Sequence, residues 1–338
     1  MYKSIIRPLL FKLDPEKAHH LIFNTLRLLF KVPGVRFFTK MMFDTTDKKH
    51  NKTVMGLTFK NPIGLAAGFD KDAVLYEELS CLGFGFIEIG TLTPLAQPGN
   101  DKPRMFRLPE YKGLINRMGF NNGGVNAAIE RLKDKPKSLI IGGNIGKNKA
   151  TSNDDALKDY EIAFEALHPF VDYFVINVSS PNTPNLRALQ DKEPLTALLK
   201  RVYQLNQSKE IKRPILLKIA PDLNEEQLKE IIEIVESENI TGIIATNTTI
   251  DKSSIPESYL HAREQGGLSG LPVKEKSTAI IKFLRKHAKR ELVIIAVGGI
   301  FTSKDAKEKL DAGADLVQVY TGFIYEGPAM VKHILKGL

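Results

Sequence analysis

The sequence predicts an α/β protein, a (β/α)8 TIM barrel with a small N-terminal helical extension, and three observations carry that expectation. Eight short apolar runs follow one another from residue 63 onward, each continuous rather than alternating, as parallel strands covered on both faces require. Helical patterns such as Pro194–Leu205 and Glu225–Glu238 stand between them, and eight such units fill about the length a barrel needs. Glycine, asparagine, threonine and lysine gather directly after the runs, at the end where barrels carry their chemistry. An open doubly wound sheet uses the same alternation, so closure is the preferred reading of two.

The first 40 residues follow another grammar. Ile5, Ile6, Leu9, Leu10 and Phe11 make a short apolar segment read as helical, with Pro8 near its first turns. Asp14-Pro15-Glu16 is a helix start, with a side-chain acceptor, a proline at the first helical position and an acid in the first turn. Ala18, Leu21, Ile22, Leu26, Leu29 and Phe30 then recur at spacings of three and four, Arg27 and Lys31 supply cations, and Pro33-Gly34 ends the helix. Such helices suit either a membrane surface or a hairpin packed on the main domain, and periodicity does not choose between them. The domain reading is 1–45 for this helical part and 46–338 for the barrel.

Thr53 to Phe59 reads as a β-hairpin around Gly56, and the barrel strands are expected at Ile63–Ala67, Phe86–Thr91, Leu139–Ile145, Phe174–Val178, Ile215–Ile219, Gly242–Thr246, Val293–Val297 and Leu316–Tyr320.

Composition bounds the function classes. Of the 338 residues 43% are hydrophobic and 26% charged, ordinary for a soluble globular chain with a sizeable core. One cysteine, Cys81, excludes internal disulfides and suits a reducing compartment. The net charge of +9 suits an anionic partner, but with no tryptophan, no long basic run and no RNA-binding signature, nucleic acid is disfavoured. Charges interrupt the apolar N-terminus before a secretory signal can form, and no apolar run is long enough to cross a bilayer as a helix, so a cytosolic-side protein is expected.

The strand ends carry the chemistry. Asn177 to Arg187, N-V-S-S-P-N-T-P-N-L-R, follows the fourth strand, and prolines 181 and 184 stiffen a loop dense in hydrogen-bonding groups. By itself such a loop is usually an ordinary connection. The other ends supply Gly68 and Lys71, Thr91, Asn144, Lys218, Thr246 to Thr248, Gly298-Gly299 and Tyr320 to Gly322, with Gly266 to Gly270 as a further glycine segment. Glycines after the seventh and eighth strands are where barrels bind phosphate through backbone N–H groups. Two lysines with asparagines from several strands suit a ligand with carboxylate and amide groups and an electron-rich ring. No His, Cys, Asp and Glu set has metal-ligand spacing, and no Walker or Rossmann glycine loop has the right context.

The segments N-P-I-G-L-A-A-G-F-D-K (61–71), R-M-F-R-L-P with I-N-R-M-G-F-N-N (104–122), N-I-G-K-N-K (144–149), the 177–187 loop, K-I-A-P-D (218–222), A-T-N-T-T (245–249), Gly266–Gly270 and Val319–Gly322 together closely resemble quinone-dependent (class 2) dihydroorotate dehydrogenase, from Asp14 to the C-terminus. The resemblance implies bound FMN, oxidation of (S)-dihydroorotate to orotate in pyrimidine synthesis, and electron delivery to a membrane quinone. Flavin contacts then fall on Ala67, Gly68, Phe69, Asp70, Lys71, Thr91, Asn144, Asn177, Lys218, Thr246, Gly270, Gly299, Tyr320 and Thr321. Substrate contacts fall on Lys71, Asn116, Arg117, Met118, Gly119, Phe120, Asn177, Asn182, Asn247 and Thr248, the base on Ser180, and the quinone site on His19, Arg107 and Tyr320. The implied location is peripheral, on the cytoplasmic face of the cell (inner) membrane, held through the N-terminal helices. Deleting those helices is expected to spare reduction by dihydroorotate and impair reoxidation by quinone. A tRNA dihydrouridine synthase-like enzyme is the competing FMN barrel, but it needs a cysteine acid in an active-site loop. Cys81 instead sits in the helical segment before the second strand.

Overall fold

The computed structural model describes residues 1–45 and 47–338; the domain boundary read at 45/46 falls on Thr46, outside the described residues. The N-terminal layer holds α1 (Arg7–Phe11), α2 (Pro15–Leu29) and α3 (Val35–Phe43), with Tyr2–Ile6 in a wider π-helical stretch before them. Asp14 caps α2 as anticipated, its carboxylate accepting Lys17 N–H at 2.9 Å, with Pro15 in the first position. Gly34, at φ +89°, turns the chain into α3, a helix that the periodicity reading did not include.

A hairpin follows, β1 (Lys52–Val54) and β2 (Leu57–Phe59), antiparallel about Met55-Gly56. The remaining elements, in order, are β3 (Ile63–Leu65), α4 (Tyr76–Ser80), β4 (Phe86–Leu92), β5 (Met105–Leu108), β6 (Gly113–Asn116), α5 (Val125–Leu132), β7 (Ile141–Ile145), α6 (Ala156–Leu167), β8 (Tyr173–Asn177) and α7 (Lys192–Ser208). Then come β9 (Ile215–Ile219), α8 (Glu225–Ser237), β10 (Gly242–Ala245), β11 (Gly267–Gly270), α9 (Lys274–His287), β12 (Val293–Val297), α10 (Ser303–Asp311), β13 (Leu316–Val319), α11 (Thr321–Glu326) and α12 (Met330–Lys336). The eight anticipated strands form a closed parallel barrel in the order β3-β4-β7-β8-β9-β10-β12-β13, sealed where Val317 of β13 stands beside Ile63 of β3. Closure excludes the open doubly wound sheet.

Period-two alternation sorts the strand residues between two cores. Phe86, Tyr173, Val175, Leu216, Ile244, Val293, Ile295 and Leu316 fill the barrel interior, and the hairpin's Val54 and Phe59 pack against the strand-starting members of this set. Ile87, Ile89, Phe174, Ile176, Leu217 and Ile243 point outward to the helices. Gly142 faces Tyr173 so closely that a Cβ would lie 2.1 Å from the ring. Toward the C-terminal end the same buried register becomes polar, with Glu88, Asn144, Asn177, Lys218 and Gln318 in succession on five strands. There the barrel stops being a core and becomes a site.

The long excursion after β4 and the glycine segment after β10 meet above this end. β5, β6 and β11 form a three-stranded antiparallel sheet with β6 central. Most of Gly266–Gly270, noted in the sequence only as a further glycine segment, is therefore a strand. Its apolar underside of Phe106, Leu108, Ile115 and Leu268 joins Ile255 and Ala262 in a separate small core.

Candidate active site

A cavity of about 1010 Å³, part of it open to solvent, lies over the C-terminal ends of the barrel strands. The strand-end residues reach it as the sequence anticipated. Ala67, Gly68 and Lys71 line it from beyond β3, Thr91 from β4, Asn177, Ser180 and Asn182 from β8 and its loop, and Lys218 from β9. Thr246, Asn247 and Thr248 follow β10, while Gly270, Gly299, Tyr320 and Thr321 close the far side. Asn116, Met118, Gly119 and Phe120 come down from the roof sheet.

Behind this lining is a buried polar lattice. Thr91 Oγ1 donates to Asn144 Oδ1 at 2.5 Å, and Asn177 Nδ2 donates to Thr91 Oγ1 at 2.8 Å and Asn144 Oδ1 at 3.1 Å. Asn144 Nδ2 donates onward to Glu88 Oε1 at 2.8 Å, and Gln318 Nε2 donates to Glu88 Oε2 at 2.6 Å. Lys218 Nζ lies 3.3 Å from Glu88 Oε1. Glu88 thus gathers an amide from each of two strands and the ammonium of a third, all out of water. Such a charge pair persists in a barrel centre only because the remaining lone pairs are also satisfied. Sequence reasoning missed Glu88 and Gln318. The available signal was a carboxylate in the apolar run Phe86-Ile87-Glu88-Ile89, where a buried strand has no use for one.

The Ser180 loop is pinned from three sides. Asn247 Nδ2 donates to Ser179 Oγ at 3.0 Å, and Ser179 Oγ donates to Asn177 Oδ1 at 3.2 Å. Arg187 Nε donates to Ser179 O and its Nη2 to Thr248 O, both at 3.1 Å, while Nη1 pairs with Asp222 at 2.9 Å. Arg187 and Asp222 close two of the sequence motifs, yet their positioning role emerges only in three dimensions. Ser180 Oγ accepts Asn182 N–H at 3.2 Å. Gly267 in the roof must lack a side chain, since a Cβ would approach Thr248 Oγ1 to 1.9 Å.

Four anticipated contact residues do not line this cavity. Asn144 stands one layer behind it. Arg117 turns away, donating to Glu264 at 2.7 Å and Pro103 O at 2.8 Å, so only its backbone belongs to the roof segment. Asp70 is buried beneath the loop, accepting Val74 and Leu75 N–H at 2.7 Å each, and burial lifts its pKa to about 6. Phe69 belongs to a neighbouring cavity. Lys71 donates to Asn121, another residue the sequence reading passed over, and burial first, then the Arg104 charge, pulls its pKa to about 7.

The neighbouring cavity, about 1440 Å³, is apolar and lies beneath the N-terminal layer. Ile22, Leu26, Val35 and Phe43 line it from α2 and α3, and the anticipated His19, Arg107 and Tyr320 all reach it. His19 packs on Phe23 at 4.0 Å between ring centroids and edge-on to Phe69 at 5.6 Å; burial, then Lys71, holds its pKa near about 4, so the ring is neutral. Phe69 in turn meets Tyr320 edge-on at 5.6 Å. Tyr320 lines both cavities and is the wall they share.

A polar pocket at the rim of a closed barrel, with an apolar chamber behind one tyrosine, invites comparison with known proteins. The dihydroorotate dehydrogenase family model matches residues 50–338. The "Dihydroorotate dehydrogenase (quinone)" of Christiangramia forsetii is 59% identical over 334 residues, spanning 99% of this chain and 97% of that one. That of Proteus mirabilis is 49% identical over 340 residues, spanning 99% of each. A DHODH crystal structure from Eimeria tenella, in complex with ferulenol, superposes with a TM-score of 0.86 at 35% identity, covering 96% of this chain and 90% of that one. The chain belongs to the dihydroorotate dehydrogenase family.

Proposed function

We infer that this protein is a quinone-dependent (class 2) dihydroorotate dehydrogenase, which oxidises (S)-dihydroorotate to orotate in pyrimidine biosynthesis with FMN as cofactor and a quinone as electron acceptor. The observation that carries the reading of the site is the convergence of Ser180, Lys71 and asparagines 116, 177, 182 and 247 in one rim cavity, backed by the Lys218–Glu88 pair. The dihydrouridine synthase-like alternative is not favoured: Cys81 is fully buried at the end of α4 and does not line the cavity.

The lining fits FMN. A Cβ on Gly68, at φ +95°, would meet only the Tyr320 ring within 4 Å, so that backbone faces open space. Gln318 Oε1 and Thr248 Oγ1 are buried without a partner among the described residues, as acceptors awaiting a ligand's donors would be. Glycines 270 and 299 with Thr321 would hold the phosphate end, and Thr91, Asn177 and Lys218 the polar edge of the ring. When bound, FMN supplies the acceptor for the hydride from substrate C6 and passes two electrons to the quinone.

The chain's own residues do the rest. Lys71 and the asparagines hold the substrate's carboxylate and ring amides in a reactive pose. Ser180 Oγ takes the C5 proton as its own passes to water in the rim cavity, because a serine hydroxyl is a poor base unless its proton can leave. Lys218 places positive charge where the reduced ring gathers negative charge. Anaerobic addition of dihydroorotate is expected to bleach the flavin and quinone to restore it; a flavin indifferent to dihydroorotate would sink the reading.

Lys71 gives the binding step a pH dependence. In the free protein its ammonium loses its proton near pH 7. An anionic ligand favours the charged form, so its binding raises that pKa and takes up protons between pH 7 and the new value. Orotate affinity is therefore expected to weaken as pH rises above 7. Calorimetry in two buffers of different ionisation enthalpy reads the uptake, and its absence would set Lys71 aside as the carboxylate partner.

The N-terminal layer suits a lipid surface as well as a quinone chamber. While Val35, Thr39 and Phe43 of α3 face the chamber, Phe37, Phe38, Met41 and Met42 face solvent, joined by Leu21 and Leu28 of α2. Among the described residues no helix is long and apolar enough to cross a membrane. We propose that this exposed apolar face holds the protein peripherally on the cytoplasmic face of the cell membrane. Since each phenylalanine contributes roughly 1.5–3 kcal/mol when buried, Phe37→Ser with Phe38→Ser is expected to cut liposome binding by at least about tenfold. Flavin reduction should stay unchanged. Undiminished sedimentation with liposomes would count against this face.

A further inference from the structure

The N-terminal layer also reaches the substrate pocket, along a route that starts at the first turn of α2. Glu16 there is only 7% exposed, and Arg104, ahead of β5, is 6% exposed. The two form a fork: Arg104 Nε donates to Glu16 Oε2 at 3.1 Å and Nη2 to Oε1 at 2.7 Å. The remaining nitrogen, Nη1, donates to Pro98 O at 2.6 Å and Asn100 O at 2.8 Å. One guanidinium therefore joins the helix to the 98–100 turn. Burial alone would raise the Glu16 pKa, but hydrogen bonds and charge from Arg104 and Lys102 outweigh it and hold the carboxyl at about 2.

Asn100 carries the connection onward. Its N–H donates to Met118 O, and its Nδ2 donates to Arg117 O and to Asn182 O, each at 3.0 Å. Its Oδ1 accepts Lys149 Nζ at 2.9 Å. Packing leaves the turn no slack: a Cβ on Gly99 would lie 2.3 Å from Met118 O, and one on Gly119 would lie 2.7 Å from Asn100 Cγ. Met118 and Asn182 line the rim cavity from opposite segments, and Asn182 Nδ2 further donates to Asn116 Oδ1 at 3.2 Å.

We propose that Glu16 is a positioning residue for the dihydroorotate site: through Arg104 it fixes the 98–100 turn, and through Asn100 that turn sets both the roof segment at Arg117–Met118 and the Ser180 loop at Asn182. The proposal rests on the functional reading above. It also alters one expectation from sequence, that removing the N-terminal helices leaves the dihydroorotate half-reaction intact, because the same cut removes the partner of a buried arginine. His19, three residues along the same helix, lines the apolar chamber, so α2 borders both half-reactions.

The test uses the full chain loaded with FMN and separates the two half-reactions. Orotate affinity is read from the flavin spectrum, reduction from anaerobic mixing with dihydroorotate, and reoxidation by adding quinone to chemically pre-reduced enzyme. Glu16→Ala is expected to raise the orotate Kd and the dihydroorotate KM by roughly tenfold or more, since small displacements of positioning groups are costly, while reoxidation stays within about twofold. Glu16→Gln keeps one acceptor for Arg104 and should recover part of the loss. Asn100→Ala leaves the buried pair intact and should reproduce the weakened orotate binding, so the idea remains testable should Glu16→Ala fail to fold. Orotate binding within twofold of wild type in either Glu16→Ala or Asn100→Ala, or a defect confined to quinone reoxidation, would overturn the proposal alone. A wild-type enzyme that dihydroorotate does not reduce would overturn it together with the functional reading.

Discussion

Replacing Ser180 by alanine is expected to slow anaerobic flavin reduction by dihydroorotate by about a hundredfold or more, the usual scale of a positioned proton acceptor. FMN and orotate should still bind, because the pocket's shape is held by bonds that do not involve this hydroxyl. Ser179, Asn247 and Arg187 pin the loop, and the bond that Ser180 Oγ makes is the acceptance of Asn182 N–H. Ser180→Cys should retain part of the activity with its pH profile displaced to lower pH, since a thiol ionises more readily than an alcohol. Near-normal reduction of the alanine variant's flavin would remove Ser180 from the role of base.

A second large effect is expected at the barrel centre. Lys218→Ala leaves Glu88 buried with its two amide donors but without its counter-charge. Stranding one member of a buried pair typically costs on the order of 3–5 kcal/mol. This variant should therefore melt well below the wild-type protein. Adding Glu88→Gln should return much of the thermal stability without returning flavin affinity, because the ring still lacks its cation. Melting curves, with FMN content measured beside them, check both statements; a Lys218→Ala protein that melts as wild type and holds flavin normally would contradict them.

The barrel was legible because its strands are buried on both faces, so each appears in sequence as an unbroken apolar run bounded by polar residues. The site was legible for a related reason: strand ends fall at predictable places, and Lys71, Asn177, Lys218 and Asn247 stand at them. What escaped depends on partners distant in sequence. The purpose of a carboxylate at Glu88, within an apolar run, shows only where Lys218, 130 positions later, stands beside it. Nothing local singles out Asn100; its role appears only where its amide meets Asn182 O. Gly267–Gly270 has too little side chain to announce a strand, and it becomes one because β6 offers an edge. Arg117 lies in a family motif beside true pocket residues, yet Glu264 draws its side chain outward. No local pattern encodes that choice.

Seam formation between β3 and β13 makes the barrel wait for the last of its strands. Val317 must find Ile63, and the Tyr2 hydroxyl donates to Ile324 O, 322 positions away. At a synthesis rate of roughly 5–20 residues per second, β3 waits on the order of 13–50 s for the strand that pairs with its free edge. Through that interval the nascent chain exposes two unpaired, strongly apolar strand edges, which are templates for association with other chains. Tyr320 and Thr321, which complete the wall of the rim cavity, are translated later still. Flavin capture thus waits for β13, and the yield of active enzyme in a cell should depend on chaperone protection during those seconds as much as on the stability of the folded barrel.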